Sequence, residues 1–423
     1  MKVLVIGGGG REHAIVRKLR ESPRVSALYC APGNGGISRD AECFPVAASD
    51  IRGVVRLAKE KEIDLVFVAP DDPLAAGMVD ALEAAGVRAF GPTAGAARIE
   101  SSKVFAKDLM KKYRIPTAEY RVFDDPSEAL RFIYSRGKFP VVIKADGLAR
   151  GKGVLIAKDQ AESLSALRLI MDDKAFGASG NRVVVEEYLT GPEVSVLAFT
   201  DGKCVRPMVS AQDHKRALDG DRGPNTGGMG TISPSPFYTP RAAEICLRTI
   251  FLPTVEAMNR EGCPFRGCLY FGLMLTPDGP KVIEYNARFG DPEAQVVLPR
   301  LKTDLVELLE AVIGGRLAEQ KIEWDGGACA CVVMASGGYP GEYRTGYEIE
   351  GLGPDGQIEG ATVFHAGTAY RDGRFYTAGG RVLGVTAPGK DLPEAVAAAY
   401  AGVGKIRFRN AQFRTDIGKR RNP

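Results

Sequence analysis

The chain has 423 residues, of which 45% are hydrophobic and 26% charged, with a net charge of +4. That length predicts roughly three domains, and the mix is that of a soluble globular protein. No apolar run approaches the ~20 residues of a membrane span, residues 1–6 are too short for a signal-peptide core, and no Lys/Arg block suits a nucleic-acid platform.

Residues 2–6 read as a short apolar strand, Gly7-Gly8-Gly9-Gly10-Arg11-Glu12-His13 as a turn, and 14–20 as a helix. A second strand, 25–30, runs into Ala31-Pro32-Gly33-Asn34-Gly35-Gly36. Helix 51–61 and strand 64–69 follow, and the unit closes near Phe90-Gly91-Pro92-Thr93. Alternating strand and helix predicts a parallel sheet wound by helices. The glycine turn is not a dinucleotide fingerprint. Counted from Gly7, the third glycine position holds Glu12; counted from Gly8, it holds His13. The second strand also ends without an acid for a ribose. A glycine turn opening a helix still offers N–H groups to an anion such as a phosphorylated substrate. A tight turn with no ligand is the plain alternative.

The turn Glu100-Ser101-Ser102-Lys103 starts helix 104–113. A smaller α/β unit spans about 120–198, with strands 141–145, 154–157 and 183–187 around one helix near 161–171. Its glycine loop, Asp146 to Gly153, is not a P-loop. Asp146 stands where the first glycine should be, and Gly153 stands where Ser or Thr should follow Lys152. The loop feeds a strand, so it suits a flap folding over phosphates. Lys144 sits inside the apolar run Val141-Val142-Ile143. A buried ammonium needs an anion, either ATP phosphates or a buried acid. Strand 183–187 ends in Glu186 and Glu187, with Glu193 beyond. This suits a purine edge and ribose hydroxyls, or a solvated strand end.

Segment 219–236 has no helical or strand period, which marks a functional loop. His214, just before it, is either a substrate group or a surface loop residue. Two helical stretches and the strands 267–275 and 281–286 follow. Glu284 and Asn286 alternate to one face. Two oxygen ligands suit a hard cation such as Mg²⁺, and with Arg288, Asp291 and Glu293 at the turn they make a constellation for ATP chemistry; a strand ending in a solvated charged turn is the alternative. A last unit, rich in short strands and glycine turns, begins near Gly326. Cys329-Ala330-Cys331 reads as buried strand, and the eight cysteines as reduced thiols of a cytoplasmic protein. The basic residues Arg407, Arg409, Arg414, Lys419, Arg420 and Arg421 read as a solvated end.

Together these motifs resemble the glycinamide ribonucleotide synthetase family of the ATP-grasp superfamily. The resemblance is carried by Gly9-Gly10-Arg11-Glu12-His13-Ala14, Ile143-Lys144-Ala145-Asp146-Gly147-Leu148-Ala149, Gly151-Lys152-Gly153-Val154 and Arg288 to Glu293. Gln212-Asp213-His214-Lys215-Arg216 with Gly223-Pro224-Asn225-Thr226-Gly227-Gly228-Met229-Gly230 ties it to this family among ATP-grasp ligases. The resemblance implies an ATP-grasp fold with three parts. They are an N-terminal Rossmann-like parallel-sheet domain (1–101), an ATP-grasp domain (102–325, with a small lid subdomain at about 120–198) and a C-terminal α+β domain (326–423). It implies ligation of glycine to 5-phosphoribosylamine with ATP, through glycyl phosphate, in purine biosynthesis, by a cytoplasmic monomer without nucleic-acid or membrane partners.

By the same resemblance, Lys103, Lys144, Gly147, Gly151, Lys152 and Gly153 would bind ATP phosphates. Glu186, Glu187 and Leu189 would hold adenine, and Glu193 the ribose. Glu284 and Asn286 would bind Mg²⁺ or Mn²⁺. Arg288, Lys144 and Asp213 would be catalytic. Asp213, His214, Lys215, Asn225 and Arg288 would line the glycine and phosphoribosylamine site. Gly9, Gly10, Arg11, Glu12, Pro32, Gly33, Asn34 and Asp71 would hold the phosphoribosyl group. The chain departs from the family at Gly8, usually Asn or Ser, at Asp71, usually Glu, and at Ser101, usually Gly. The strand before Glu284 carries no metal acid, as in the rest of the family. Another carboxylate–amine ligase and a non-catalytic nucleotide-binding regulator are the rival expectations.

Overall fold

The computed structural model describes residues 1–148 and 153–419. Its first sheet is wholly parallel. Lys2–Gly7 is central, between Ala27–Pro32 and Leu65–Val68, with Glu42–Cys43 and Ala89–Phe90 at the edges. Val3, Leu4, Val5 and Ile6 are all fully buried, the pattern of a strand covered on both faces. Strand order reverses about this strand, which places a binding crevice outside its carboxyl end. Gly7 turns the chain there at φ +123°, and a Cβ on it would meet Glu12 Cγ at 2.5 Å. Helix Gly10–Arg20 follows at once.

Ser102 caps helix Lys103–Lys112, its Oγ accepting from Phe105 N at 3.1 Å. Beyond lies a four-stranded antiparallel sheet in the order Tyr120–Phe123, Val183–Glu187, Val141–Ala145, Val154–Ala157. Val141, Ile143, Val183 and Val185 share a core with Ala129, Ile133, Ala166 and Leu167 from two helices. Lys144 and Glu186 are on the opposite face, as alternation requires. The sequence predicts one helix here. The other, Pro126–Arg136, buries only Ala129 and Ile133, too few positions to make a readable stripe.

A second antiparallel sheet runs Val205–Pro207, Glu193–Asp201, Arg266–Thr276, Gly279–Asn286. The last sheet has the order Gln212–Asp213, Gly230–Ser233, Ala328–Ser336, Arg381–Gly389, Thr362–His365, with Ala411–Gln412 paired to Ala328–Ser336. Segment 219–236 is therefore not irregular throughout. It completes a hairpin, Arg216–Leu218 with Arg222–Asn225, and supplies strand Gly230–Ser233 to the C-terminal sheet. Strands of three or four residues containing glycine and proline are too short to display a period. Cys329 and Cys331 lie fully buried in their strand, and all eight cysteines are free. Among the described residues no helix is long and apolar enough to cross a membrane.

Candidate active site

The four-stranded antiparallel sheet of residues 120–187, strand Gly279–Asn286 and segment 212–227 line a cavity of about 1250 Å³. Ordinary ligand pockets hold ~300–1,000 Å³, so this one has room for more than one ligand. Its lining includes Lys103, Lys144, Gly147, Gly153, Glu186, Glu187, Leu189, Glu193, Asp213, Lys215, Asn225, Glu284, Asn286 and Arg288. The expected positions Gly151 and Lys152, with Ala149 and Arg150 beside them, lie outside the described residues.

One wall is cationic. Lys144 Nζ lies 3.0 Å from Glu186 Oε1 and donates to the Ile283 carbonyl at 3.0 Å. Lys107 Nζ lies 3.0 Å from Glu186 Oε2. Of the two anions expected for Lys144, the structure provides the buried acid. Glu186 is 3% exposed, and its carboxylate is engaged by two ammonium groups. Burial pulls the Lys107 ammonium down to about 8 against the pull of Glu186. Lys103 Nζ donates to the Gly147 carbonyl at 2.8 Å, and Asp146 Oδ1 accepts from Val104 N at 3.1 Å. The helix start and the glycine loop are thus tied together.

The facing wall is anionic. Lys215 Nζ stands 3.3 Å from both Glu193 Oε2 and Glu284 Oε1. Lys215 draws the Glu284 carboxyl down to about 2, and the two acids hold the Lys215 ammonium well above its usual value. With its amide assigned so that nitrogen faces the acid, Asn286 donates to Glu100 Oε1 at 2.9 Å. Glu100 also takes the Ala287 amide at 2.6 Å and pairs with Arg288 Nη2 at 2.9 Å. Arg288 approaches Asp71 Oδ2 at 3.8 Å, and its buried Nε has no partner among the described residues.

Asp213 completes the cavity. Burial, reinforced by Glu293, pushes its carboxyl well above the ordinary range. Glu293 Oε1 accepts from the hydroxyls of Ser195 and Tyr270 at 3.0 and 3.1 Å. Gly228, at φ +112°, lies against this acid, and a Cβ there would be 2.6 Å from Asp213 Oδ1. Arg381 reaches in from the C-terminal sheet, pairing with Asp291 Oδ2 at 3.1 Å and donating to the Gly227 carbonyl at 2.6 Å. His214 also borders the cavity, but its ring is engaged. Nδ1 meets the Gly230 carbonyl at 3.1 Å, and Nε2 accepts from Gly418 N at 3.3 Å.

Of the N-terminal positions expected to hold the phosphoribosyl group, two border this cavity. Arg11 and Asp71 line the cavity; Gly9, Gly10, Glu12, Pro32, Gly33 and Asn34 do not. Glu12 accepts from Gly9 N and from Arg11 Nε, both at 2.6 Å. Asn34 donates to the Gly8 and His365 carbonyls and accepts from Gly36 N and Ile37 N. Both side chains hold the turn itself. A Cβ on Gly8 would lie 2.4 Å from the Gly33 oxygen, which accounts for glycine at this departure.

Three site residues escape the sequence reading: Lys107, Glu100 and Arg381. Lys107 had a signal, since it follows Lys103 by one helical turn and shares its face. Glu100 and Arg381 had none, because their partners lie far away along the chain.

Comparison with known proteins places this geometry. Residues 1–100, 101–294 and 329–420 match the N domain, the ATP-grasp (A) domain and the C domain of phosphoribosylglycinamide synthetase. The phosphoribosylamine–glycine ligase of Caldanaerobacter subterraneus is 49% identical over 99% of both chains. That of Halalkalibacterium halodurans is 50% identical over 99% of this chain and 97% of its own. The crystal structure of the Thermotoga maritima phosphoribosylamine–glycine ligase superposes with a TM-score of 0.86 at 34% identity, covering 99% of this chain and all of its own. A biotin carboxylase domain from Hydrogenobacter thermophilus, at 17% identity and a TM-score of 0.74, covers 97% of this chain and 91% of its own and shares the fold.

Proposed function

Since the chain belongs to the phosphoribosylglycinamide synthetase family, we propose that it joins glycine to 5-phosphoribosylamine, forming glycinamide ribonucleotide, ADP and phosphate. One observation carries this reading. A single cavity is lined both by the lysines and acids of the ATP-grasp sheets and by segment 212–227.

A carboxylate is a poor electrophile. The proposed route begins with attack of a glycine carboxylate oxygen on the γ-phosphorus of ATP, giving glycyl phosphate and ADP. The amine of phosphoribosylamine then attacks the glycyl carbonyl and loses a proton, and phosphate leaves. Phosphoryl transfer needs chiefly alignment and charge neutralisation. In this reading Lys103 and Lys144 bind the phosphates, and Arg288, whose buried Nε has no partner among the described residues, binds the transferring group. Asp213, which lines the same cavity, is the acid assigned to the ligation step. Glu193 is assigned to the ribose, and residues 186–189 to adenine.

Glu284 and the Asn286 oxygen form a hard donor pair, and Lys215 keeps Glu284 ionised. This fits Mg²⁺ or Mn²⁺. Among the described residues no group of three or more acids, histidines or cysteines could hold a metal alone, so phosphate and water oxygens would complete its shell. The bound cation would offset the phosphate charge.

The test is ADP release by the purified chain. It should require glycine and phosphoribosylamine together. Equal turnover with another amino acid, or no turnover with all substrates and Mg²⁺ present, would overturn the reading.

A further inference from the structure

Arg414, expected in a solvated basic end, is 1% exposed. Its guanidinium is bonded on all sides. Nε and Nη2 donate to the two Asp416 oxygens at 2.7 and 2.9 Å, and Nη1 donates to Asp221 Oδ1 at 2.7 Å and to the Arg216 carbonyl at 3.1 Å. Asp416 Oδ2 also accepts from Gly220 N at 3.0 Å, and Asp219 Oδ1 accepts from Thr415 N at 2.8 Å. Residues 414–418 therefore form a strap lying against residues 214–221.

The strap is anchored from behind. The Tyr400 hydroxyl, on helix Leu392–Val403, donates to the Arg414 carbonyl at 2.8 Å and accepts from Ile417 N at 2.9 Å. Ile417 is fully buried. Buried ion networks are weak evidence for stability, because apolar residues of similar volume often serve as well. What such a network does specify is geometry. Here it fixes the residue next to Lys215, whose ammonium must stand between Glu193 and Glu284.

We infer that Arg414 is a positioning residue for the ligation: it locks hairpin 216–225 in the place that aims Lys215 and Asn225 into the cavity. This rests on the ligase reading above.

Arg414→Met, Arg414→Lys and the milder rim variant Asp219→Asn test it in the full chain. In Arg414→Met the KM for glycine or phosphoribosylamine should rise about tenfold or more, while directly measured ATP affinity stays within about twofold. Arg414→Lys should recover part of the loss. Amide exchange should quicken over 214–225 and remain unchanged in strand Lys2–Gly7. If Arg414→Met does not fold, Asp219→Asn should shift KM and exchange in the same direction by less. Unchanged KM, or ATP affinity falling in parallel with glycine, overturns the proposal. If the parent itself releases no ADP, the ligase reading fails. The exchange measurement then decides alone, and parent-like exchange over 214–225 in Arg414→Met overturns the strap.

Discussion

Glu186 shows how a single residue sets the electrostatics of the cavity's cationic wall. Its carboxylate lies within 3.0 Å of both the Lys107 and Lys144 ammonium groups, and all three side chains are at most 5% exposed. Removing one partner from such a network strands charge in a dry site, at a cost of about 3–5 kcal/mol. Glu186→Gln should lose stability on that scale in urea titrations, and saturating ATP should restore more stability to the variant than to the parent. A variant within about 0.5 kcal/mol of the parent would contradict the burial argument. The sequence made half of this legible. An ammonium inside an apolar strand requires an anion, but two candidate anions satisfy that requirement, and only the fold brings Glu186 and Lys107 to Lys144.

At the scale of elements, the parallel sheet and the lid strands are readable because their apolar runs are continuous or alternate cleanly. The short strands 216–218, 222–225 and 230–233 are not: each is too short to show a period, and 230–233 finds its partner, Ala328–Ser336, about a hundred residues further along the chain. The glycine turn is legible as a turn; the bonds that hold it in place, which reach the C-terminal sheet, are not. Asn34 accepts two backbone amides and donates to two carbonyls, at 2.7 to 2.9 Å, joining the turn after the first strand to His365 in the C-terminal sheet. A side chain used this way acts on stability. Asn34→Ala should cost about 2 kcal/mol or more, since the stranded backbone groups are partly buried. Equilibrium denaturation checks this. A variant with parental stability and only a raised KM for phosphoribosylamine would return Asn34 to the direct substrate contact that the family resemblance implies.

At the scale of the whole molecule, the C-terminal sheet is fastened to the rest of the chain through buried imidazoles, and this gives folding a pH dependence. His365 is fully buried. Its Nε2 meets the Gly356 carbonyl at 2.9 Å, its Nδ1 meets the Thr368 hydroxyl at 3.1 Å, and its backbone N donates to His13 Nδ1 at 2.7 Å. Burial, aided by His13, lowers the His365 imidazole to about 3. Burial lowers His13 as well, against its Asp40 contact. For a group whose folded value is depressed below ~6.5, the unfolded chain binds more protons, so stability rises with pH. The contribution is complete above about pH 6.5 and is lost progressively as pH falls from there towards about 3. By pH 5 His365 alone should remove roughly 2 kcal/mol relative to pH 8. Carboxylates with depressed values, such as Glu284 at about 2, lose their contribution from about pH 5 downward, and the carboxyls that burial raises, Asp213 and Glu100, oppose the slope, so the difference between the parent and His365→Asn isolates the imidazole. Urea midpoints of the parent should therefore fall between pH 7 and 5, and His365→Asn should show a shallower fall whatever its absolute stability. A parent flat across that range, or a variant with the parent's slope, would mean that the imidazole protonates without opening the contact between the first and last sheets.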